Sequence, residues 1–314
     1  MKRIVSILVS LIILCFIYTK IDFPGLVRVF QNCDRTWMTV SLAMVIPITL
    51  ITSWRLQQLM PTKGSLGFWE ANRLILAASV LNMVLPSKMG DIAKAYFMRD
   101  RGHLSGSLAL SLVVFEKACD LLSLLLWCAF GLLLYPQKDW LFWMMTVGVA
   151  GGLIAGILLL GSKFIANLFF STSKKIAPKK IKLKLEKVHI SWGEMHDYFW
   201  RDRQQLTQIT LTSIFIWFLH LLQIWFFILA LKAQTPFLTN LALSPLAILA
   251  GLLPLTFAGV GTRDAALILF YQPYFDAATG AALGLLCTSR YLLPAIGGLP
   301  FLGQFLATVR RNRI

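Results

Sequence analysis

The chain reads as an all-α polytopic membrane protein, with about six full spans and two opposed re-entrant helical hairpins forming an inverted repeat. Three observations predict this. Hydrophobic residues make up 57% of the 314 and charged residues 14%, with a mean hydropathy of +0.71; a soluble domain carries about 25% charge. Apolar runs long enough to cross about 30 Å of hydrocarbon recur along the sequence. Two apolar stretches are interrupted, at Pro86-Ser87-Lys88-Met89-Gly90-Asp91 and at Gly259-Val260-Gly261-Thr262-Arg263-Asp264. Each break sets a basic residue and a carboxylate beside helix-breaking glycine or proline. Unsatisfied backbone and bare charge are costly in hydrocarbon, so such breaks line protein-enclosed cavities, and a pair of them in the two halves of a chain points to a transporter site.

The elements follow in order. Residues 4–18, behind Met1-Lys2-Arg3, form a retained first span, because no A-x-A cleavage site follows them. Residues 37–54 span next. Residues 74–85 and 92–98 are two short limbs of a hairpin, 105–135 is a long helix and 140–161 the next span. The one large polar loop, 162–206, holds ten Lys/Arg against four Asp/Glu. Residues 207–231 span again, 241–271 is the second broken hairpin and 277–307 the last helix. The whole is one integral membrane domain, 1–314, with repeat halves at about 37–135 and 207–307.

Charge gives the orientation. A net charge of +16 would suggest nucleic acid in a soluble chain; here it belongs to cytoplasmic loops facing anionic headgroups, and no nucleic-acid partner is expected. The basic N-terminus, the loop 162–206 and Arg310-Arg311-Asn312-Arg313 fall on one side, which places both termini in the cytoplasm. The first hairpin then enters from inside and the second from outside. A multi-pass protein of a bacterial or archaeal cytoplasmic membrane is expected.

The breaks also nominate residues. Pro86 and Gly90 can stop one helix and start another, leaving amides for a polar headgroup, with Ser87 between them and Asn82 one turn earlier to bond freed carbonyls. Lys88 offers a point cation for phosphate, while Asp91 could pair with it or with Lys94. Gly259 and Gly261 permit tight backbone, and Arg263 gives a planar donor fork with Asp264 as its natural partner. Glu116 and Asp120, four apart on the long helix, share a face. Lys117 points about 100° away and is not their obvious partner. Pairing them with Arg263, Arg290 or Lys88 is the simplest bookkeeping. Each break can also be read as an ordinary turn, and the acids as purely structural ion pairs.

Elsewhere, Gly148, Gly152 and Gly156 form G-x-x-x-G steps, a close helix-packing face. Residues 181–199 carry an apolar stripe at Ile181, Leu185, Val188, Trp192, Met195 and Phe199. It suits an amphipathic helix on the inner leaflet, or a short soluble helix in a basic loop. Cysteines 15, 33, 119, 128 and 287 read as packing residues, and histidines 103, 189, 196 and 220 make no metal pattern. No nucleophile elbow, Walker loop or zinc motif appears, so neither enzyme, cofactor nor metal is expected.

Three motifs carry a resemblance: Asn82…Pro86-Ser87-Lys88-Met89-Gly90-Asp91, then Glu116-Lys117-Ala118-Cys119-Asp120, then Gly259-Val260-Gly261-Thr262-Arg263-Asp264. With Arg290 in the last span, they resemble the lysylphosphatidylglycerol synthase transmembrane, or flippase-like, family over roughly residues 72–300. Ala258 stands where that family usually has glycine, and Asp91 and Asp264 replace commoner glutamates. The chain ends at Ile314, without an aminoacyl-transferase domain. The resemblance implies lipid translocation without lipid aminoacylation.

The expected function is therefore a lipid translocase for an amphiphile with an anionic or zwitterionic headgroup, a phospholipid or isoprenoid-type lipid. Its headgroup would meet a polar cavity lined by Lys88, Asp91, Glu116, Asp120, Arg263, Asp264 and Arg290. Two other readings stay open: a non-transporting partner of a separate lipid-modifying transferase, or an ion-coupled transporter of small solutes.

Overall fold

A computed structural model describes residues 23–60, 66–84, 89–102, 104–135, 138–252 and 261–303. The expected first span at 4–18, the residues Pro86, Ser87, Lys88 and Gly259, and the basic C-terminus lie outside them. The described residues are helical, in the order α1 Phe23–Gln31, α2 Arg35–Ala43, α3 Val45–Leu59, α4 Phe68–Val84, α5 Met89–Gly102, α6 Gly106–Leu134 and α7 Trp140–Gly161. There follow α8 Lys163–Ile176, α9 Lys179–Arg201, α10 Arg203–Ala230, α11 Phe237–Gly251, α12 Thr262–Tyr271 and α13 Ala277–Gly298, closed by a 3-10 turn at Leu299–Phe301.

Five helices among the described residues are long and apolar enough to cross a bilayer: Arg35–Leu59, Gly106–Leu134, Trp140–Gly161, Arg203–Ala230 and Ala277–Phe301. They coincide with five of the six expected spans, and the chain is an all-helical polytopic membrane protein. The first of them is notched at Met44, between α2 and α3. Pro47 explains the notch, since it cannot donate to the Ala43 carbonyl and its ring crowds that oxygen. Asp34 starts α2 by accepting from the Thr36 and Trp37 amides at 2.8 and 3.0 Å.

The two interrupted stretches are helical hairpins. Their limbs have 17 and 14 residues in α4–α5 and 15 and 10 in α11–α12. At about 1.5 Å per residue each is shorter than a hydrocarbon core of about 30 Å. Helix α5 is longer than the apolar limb 92–98, because it continues through Arg99, Asp100 and Arg101 to Gly102; polarity ended the sequence signal before the helix ended.

The chain forms two compact units. The first comprises Thr49–Ser123, Ala150–Ile216 and the chain from Pro294. Its core joins Leu56 and Leu59 of α3, Leu74 and Ala77 of α4, Met98 of α5, Leu112 and Phe115 of α6 and Met195 and Phe199 of α9. Phe115 stacks on Phe199 with ring centroids 3.9 Å apart. The apolar stripe of residues 181–199 thus turns its Met195 and Phe199 end into protein rather than lipid, because α6 offers it aromatic surface. Gly90 belongs to α5 and lets that helix approach α4, since a Cβ there would strike the Ala78 carbonyl and Asn82. Gly298 plays the same part against the Leu76 carbonyl.

The second unit comprises the chain to Ile48, Leu124–Val149 and Trp217–Leu293. Helix α11 is buried from Asn240 to Ile248. Asn240 donates to the Leu221 carbonyl at 2.9 Å, and the Tyr271 hydroxyl donates to Asn240 Oδ1 at 3.1 Å. Gly131 has no Cβ because the Ala242 carbonyl fills its place. The expected G-x-x-x-G packing face on α7 is not continuous: Gly156 presses on Leu122, but Gly148 has nothing within 4 Å of its missing Cβ. Only 6% of the most apolar α7 window is buried inside the protein, so most of that helix is left to lipid.

Candidate functional site

In the first unit four helices deliver polar groups to one point. Arg55 comes from α3, Asp91 and Lys94 from one turn of α5, Glu116, Lys117 and Asp120 from α6, and Ser213 from α10. Arg55 Nη2 donates to Glu116 Oε1 at 3.0 Å, Arg55 Nη1 pairs with Asp120 Oδ1 and donates to Ser213 Oγ at 2.8 Å. Lys94 Nζ lies 2.6 Å from Glu116 Oε2 and 3.4 Å from Asp91 Oδ1. Lys117 Nζ lies 3.4 Å from Asp120 Oδ2 and 3.7 Å from Asp91 Oδ1.

These six form an alternating ring of three cations and three carboxylates. Burial along it is graded. The side chains of Arg55, Lys94 and Glu116 are only 1–2% exposed, Asp91 is 11%, Asp120 21% and Lys117 41%. One end is dry and the other open. At the dry end Glu116 is held by two cations, an arrangement whose Coulomb gain must offset the desolvation of every member. At the open end each contact can be exchanged for water or for a ligand.

The second unit holds a separate cluster. Arg263 opens α12 and grips its neighbour Asp264 through Nε at 2.9 Å and Nη2 at 2.6 Å. Nη2 also reaches the Gly284 carbonyl at 3.0 Å and Thr288 Oγ1 at 2.8 Å on α13. Gly261 precedes α12 at φ 102°, a backbone angle that glycine tolerates, and donates its amide to Asp264 Oδ2 at 3.3 Å. Gly251 and Gly284 flank the pair, their missing Cβ atoms leaving room for the Arg263 stem and the Asp264 carboxylate. Arg290 lies on α13 and is also buried.

The seven expected lining residues thus divide. Asp91, Glu116 and Asp120 share one cluster, Arg263 and Asp264 pair in the other unit with Arg290 also there, and Lys88 lies outside the described residues. Among the described residues the partners of Glu116 and Asp120 are Arg55, Lys94 and Lys117, while Arg263 pairs with Asp264. The span expected at 37–54 stops one residue short of Arg55, but α3 runs to Leu59 and carries that residue inside. Lys117 and Asp120 are three apart, a spacing that faces side chains together, so the offset from Glu116 did not exclude it. Lys94 lies one turn beyond Asp91, the partner the sequence offered it, and reaches Glu116 as well.

The groove between α6, α7 and the α8–α9 hairpin holds none of these residues. It is apolar, lined by Leu121, Leu122, Gly152, Gly156, Phe170 and Trp192 among others. No cluster of His, Cys, Asp or Glu able to hold a metal occurs among the described residues.

A family model described as the lysylphosphatidylglycerol synthase TM region matches residues 3–298. A UPF0104 membrane protein of Methanocaldococcus jannaschii is 23% identical over 320 aligned residues, which cover 95% of this chain and 93% of that protein.

Proposed function

Because the chain belongs to the lysylphosphatidylglycerol synthase transmembrane family, we propose that it is a lipid translocase of the cytoplasmic membrane, moving an amphiphile with an anionic or zwitterionic headgroup. The family supplies the lipid connection. The half-open ring of Arg55, Asp91, Lys94, Glu116, Lys117 and Asp120 is the observation that carries the reading.

A ring of this kind is a poor way to make a protein stable. Well-packed hydrophobic residues of similar volume serve at least as well as buried ion pairs, often better by about 1–4 kcal/mol. A headgroup crossing hydrocarbon, by contrast, needs partners that replace its water. Lys117 at the open end offers a cation that can leave Asp120 or Asp91 for a phosphate, and the freed carboxylate can accept an ammonium. Arg55 and Lys94 hold Glu116 so that the exchange occurs without a bare buried charge. The tail stays in lipid, and the apolar groove along α6 and α7 suits it. Positive-inside bias supports a cytoplasmic α8–α9 loop and α4–α5 hairpin, with α11–α12 entering from the other face as a re-entrant pair. The reading needs no covalent chemistry and no cofactor.

Reconstitution tests it. Purified protein in liposomes carrying a fluorescent headgroup-labelled phospholipid should expose inner-leaflet label to an external quencher faster than protein-free liposomes. Lys117→Gln, at the exposed end of the ring, should fold and slow that exchange at least severalfold. Liposomes with wild-type protein that quench like empty ones would sink the proposal.

A further inference from the structure

Arg290 differs from the other cations of these clusters. It is only 7% exposed, yet its Nε and Nη1 atoms have no hydrogen-bond partner among the described residues. Its guanidinium carbon lies 5.7 Å from the Tyr291 ring centre, a cation–π distance that does not engage the Nε and Nη1 donors. Asp264, an acid of the same unit, is already taken by Arg263 through two hydrogen bonds. Arg263 therefore has a bound carboxylate, and Arg290 has none among the described residues.

The sequence offers no hidden partner of opposite charge in the adjoining break. Residues 253–260 contain no acid, and Asp22 is the one Asp or Glu side chain that lies outside the described residues. Arginine does not shed this charge by losing its proton. A buried, uncompensated guanidinium is costly, and buried charges are almost always paired. We infer that Arg290 is the seat of a phosphate-type anion, completed from outside the chain. In a bilayer the abundant anions are phosphate esters, and a guanidinium fork matches their oxygens. This deepens the translocase reading and rests on it only for the source of the phosphate, which could be a lipid headgroup or the free ion.

The contrast with the first unit sharpens the assignment. There, three cations meet three carboxylates and each holds the next. An anion entering that ring must displace a carboxylate; at Arg290 it displaces none.

The test uses full-length protein in maltoside micelles, followed by thermal unfolding, with inorganic phosphate and with dioleoylphosphatidic acid as probes. Wild type should be stabilised saturably by one or both. Stabilisation by the lipid alone assigns a headgroup; stabilisation by inorganic phosphate as well assigns the free ion. Arg290→Gln should abolish the response and leave the ligand-free protein at least as heat-stable as wild type, because an unpaired charge has been removed. Arg290→Lys should keep a response about tenfold weaker, the fork being lost. Arg263→Gln, which breaks a made pair, should lower ligand-free stability. The inference is overturned if Arg290→Gln and Arg290→Lys respond like wild type, or if oleate stabilises wild type as well as the phosphatidic acid. It is equally overturned if Arg290→Gln destabilises the ligand-free protein as Arg263→Gln does, or does not fold. Lipid exchange in liposomes without any Arg290-dependent phosphate response would leave the translocase standing and this seat refuted. The reverse result would do the opposite.

Discussion

Gly284 lacks a side chain where one would collide with Asp264: a Cβ there would lie 2.8 Å from the Asp264 carboxyl carbon and 2.9 Å from Oδ1. Gly284→Ala should therefore push the carboxylate off Arg263, costing about 1–3 kcal/mol for overpacking alone. Gly148→Ala meets nothing within 4 Å and should be neutral or stabilising by up to about 1 kcal/mol. Thermal unfolding of both variants in one detergent checks the pair; equal midpoints would show that the Asp264 contact is not tight. At this scale the sequence was legible where partners are adjacent. Arg263 and Asp264 are neighbours, and one carboxylate beside one guanidinium needs no fold to find it. Arg55 was not legible, because its partners lie 61 and 65 residues away and hydropathy ends a span at the first charge. A buried charge looks like a boundary until its counter-charge is seen.

The α8–α9 hairpin carries the element-scale prediction. His189 stacks on Phe170 with ring centroids 4.8 Å apart, and its Nε2 meets Asn167 Oδ1 at 2.6 Å. Lys174 Nζ lies 3.4 Å from Nδ1, so the neutral ring that donates through Nε2 and accepts through Nδ1 satisfies both neighbours. Partial burial and the Lys174 charge hold the His189 pKa below its usual value, outweighing Glu186, which acts the other way. A depressed histidine contributes stability that is present above the unfolded value of about 6.5 and is lost as pH falls through the folded value. Amide exchange in α8 and α9 should accordingly quicken as pH drops below about 6.5, after correction for intrinsic rates. His189→Phe, which keeps the stack, should flatten that dependence; an unchanged profile would remove His189 as its cause. The stripe on α9 was visible in the sequence as a period. Which surface it covers was not, since period reports that a face is apolar and says nothing about whether lipid or Phe115 lies opposite.

For the whole molecule, the order of spans and hairpins was the most legible property, because length and hydropathy are set by the bilayer rather than by packing. Five expected spans appear as long apolar helices. Packing between them was less legible. The spaced glycines of α7 promised a helix contact, but small residues permit close approach without supplying a neighbour. Orientation is open to a direct check. Lys175 stands beside the exposed end of α8, before Ala177-Pro178. Trypsin should cut there in inverted membrane vesicles and spare the protein in intact spheroplasts; the opposite pattern would turn the topology over.

The ring around Glu116 also has an electrical consequence. A membrane voltage does work of about 2.3 kcal/mol on each elementary charge per 100 mV. Three positive and three negative side chains held against one another present no net charge to that field. A displacement of the described ring as a unit along the field would therefore be neither driven nor resisted by the resting potential. In the proposed translocase, voltage would act on the lipid headgroup and leave this ring alone.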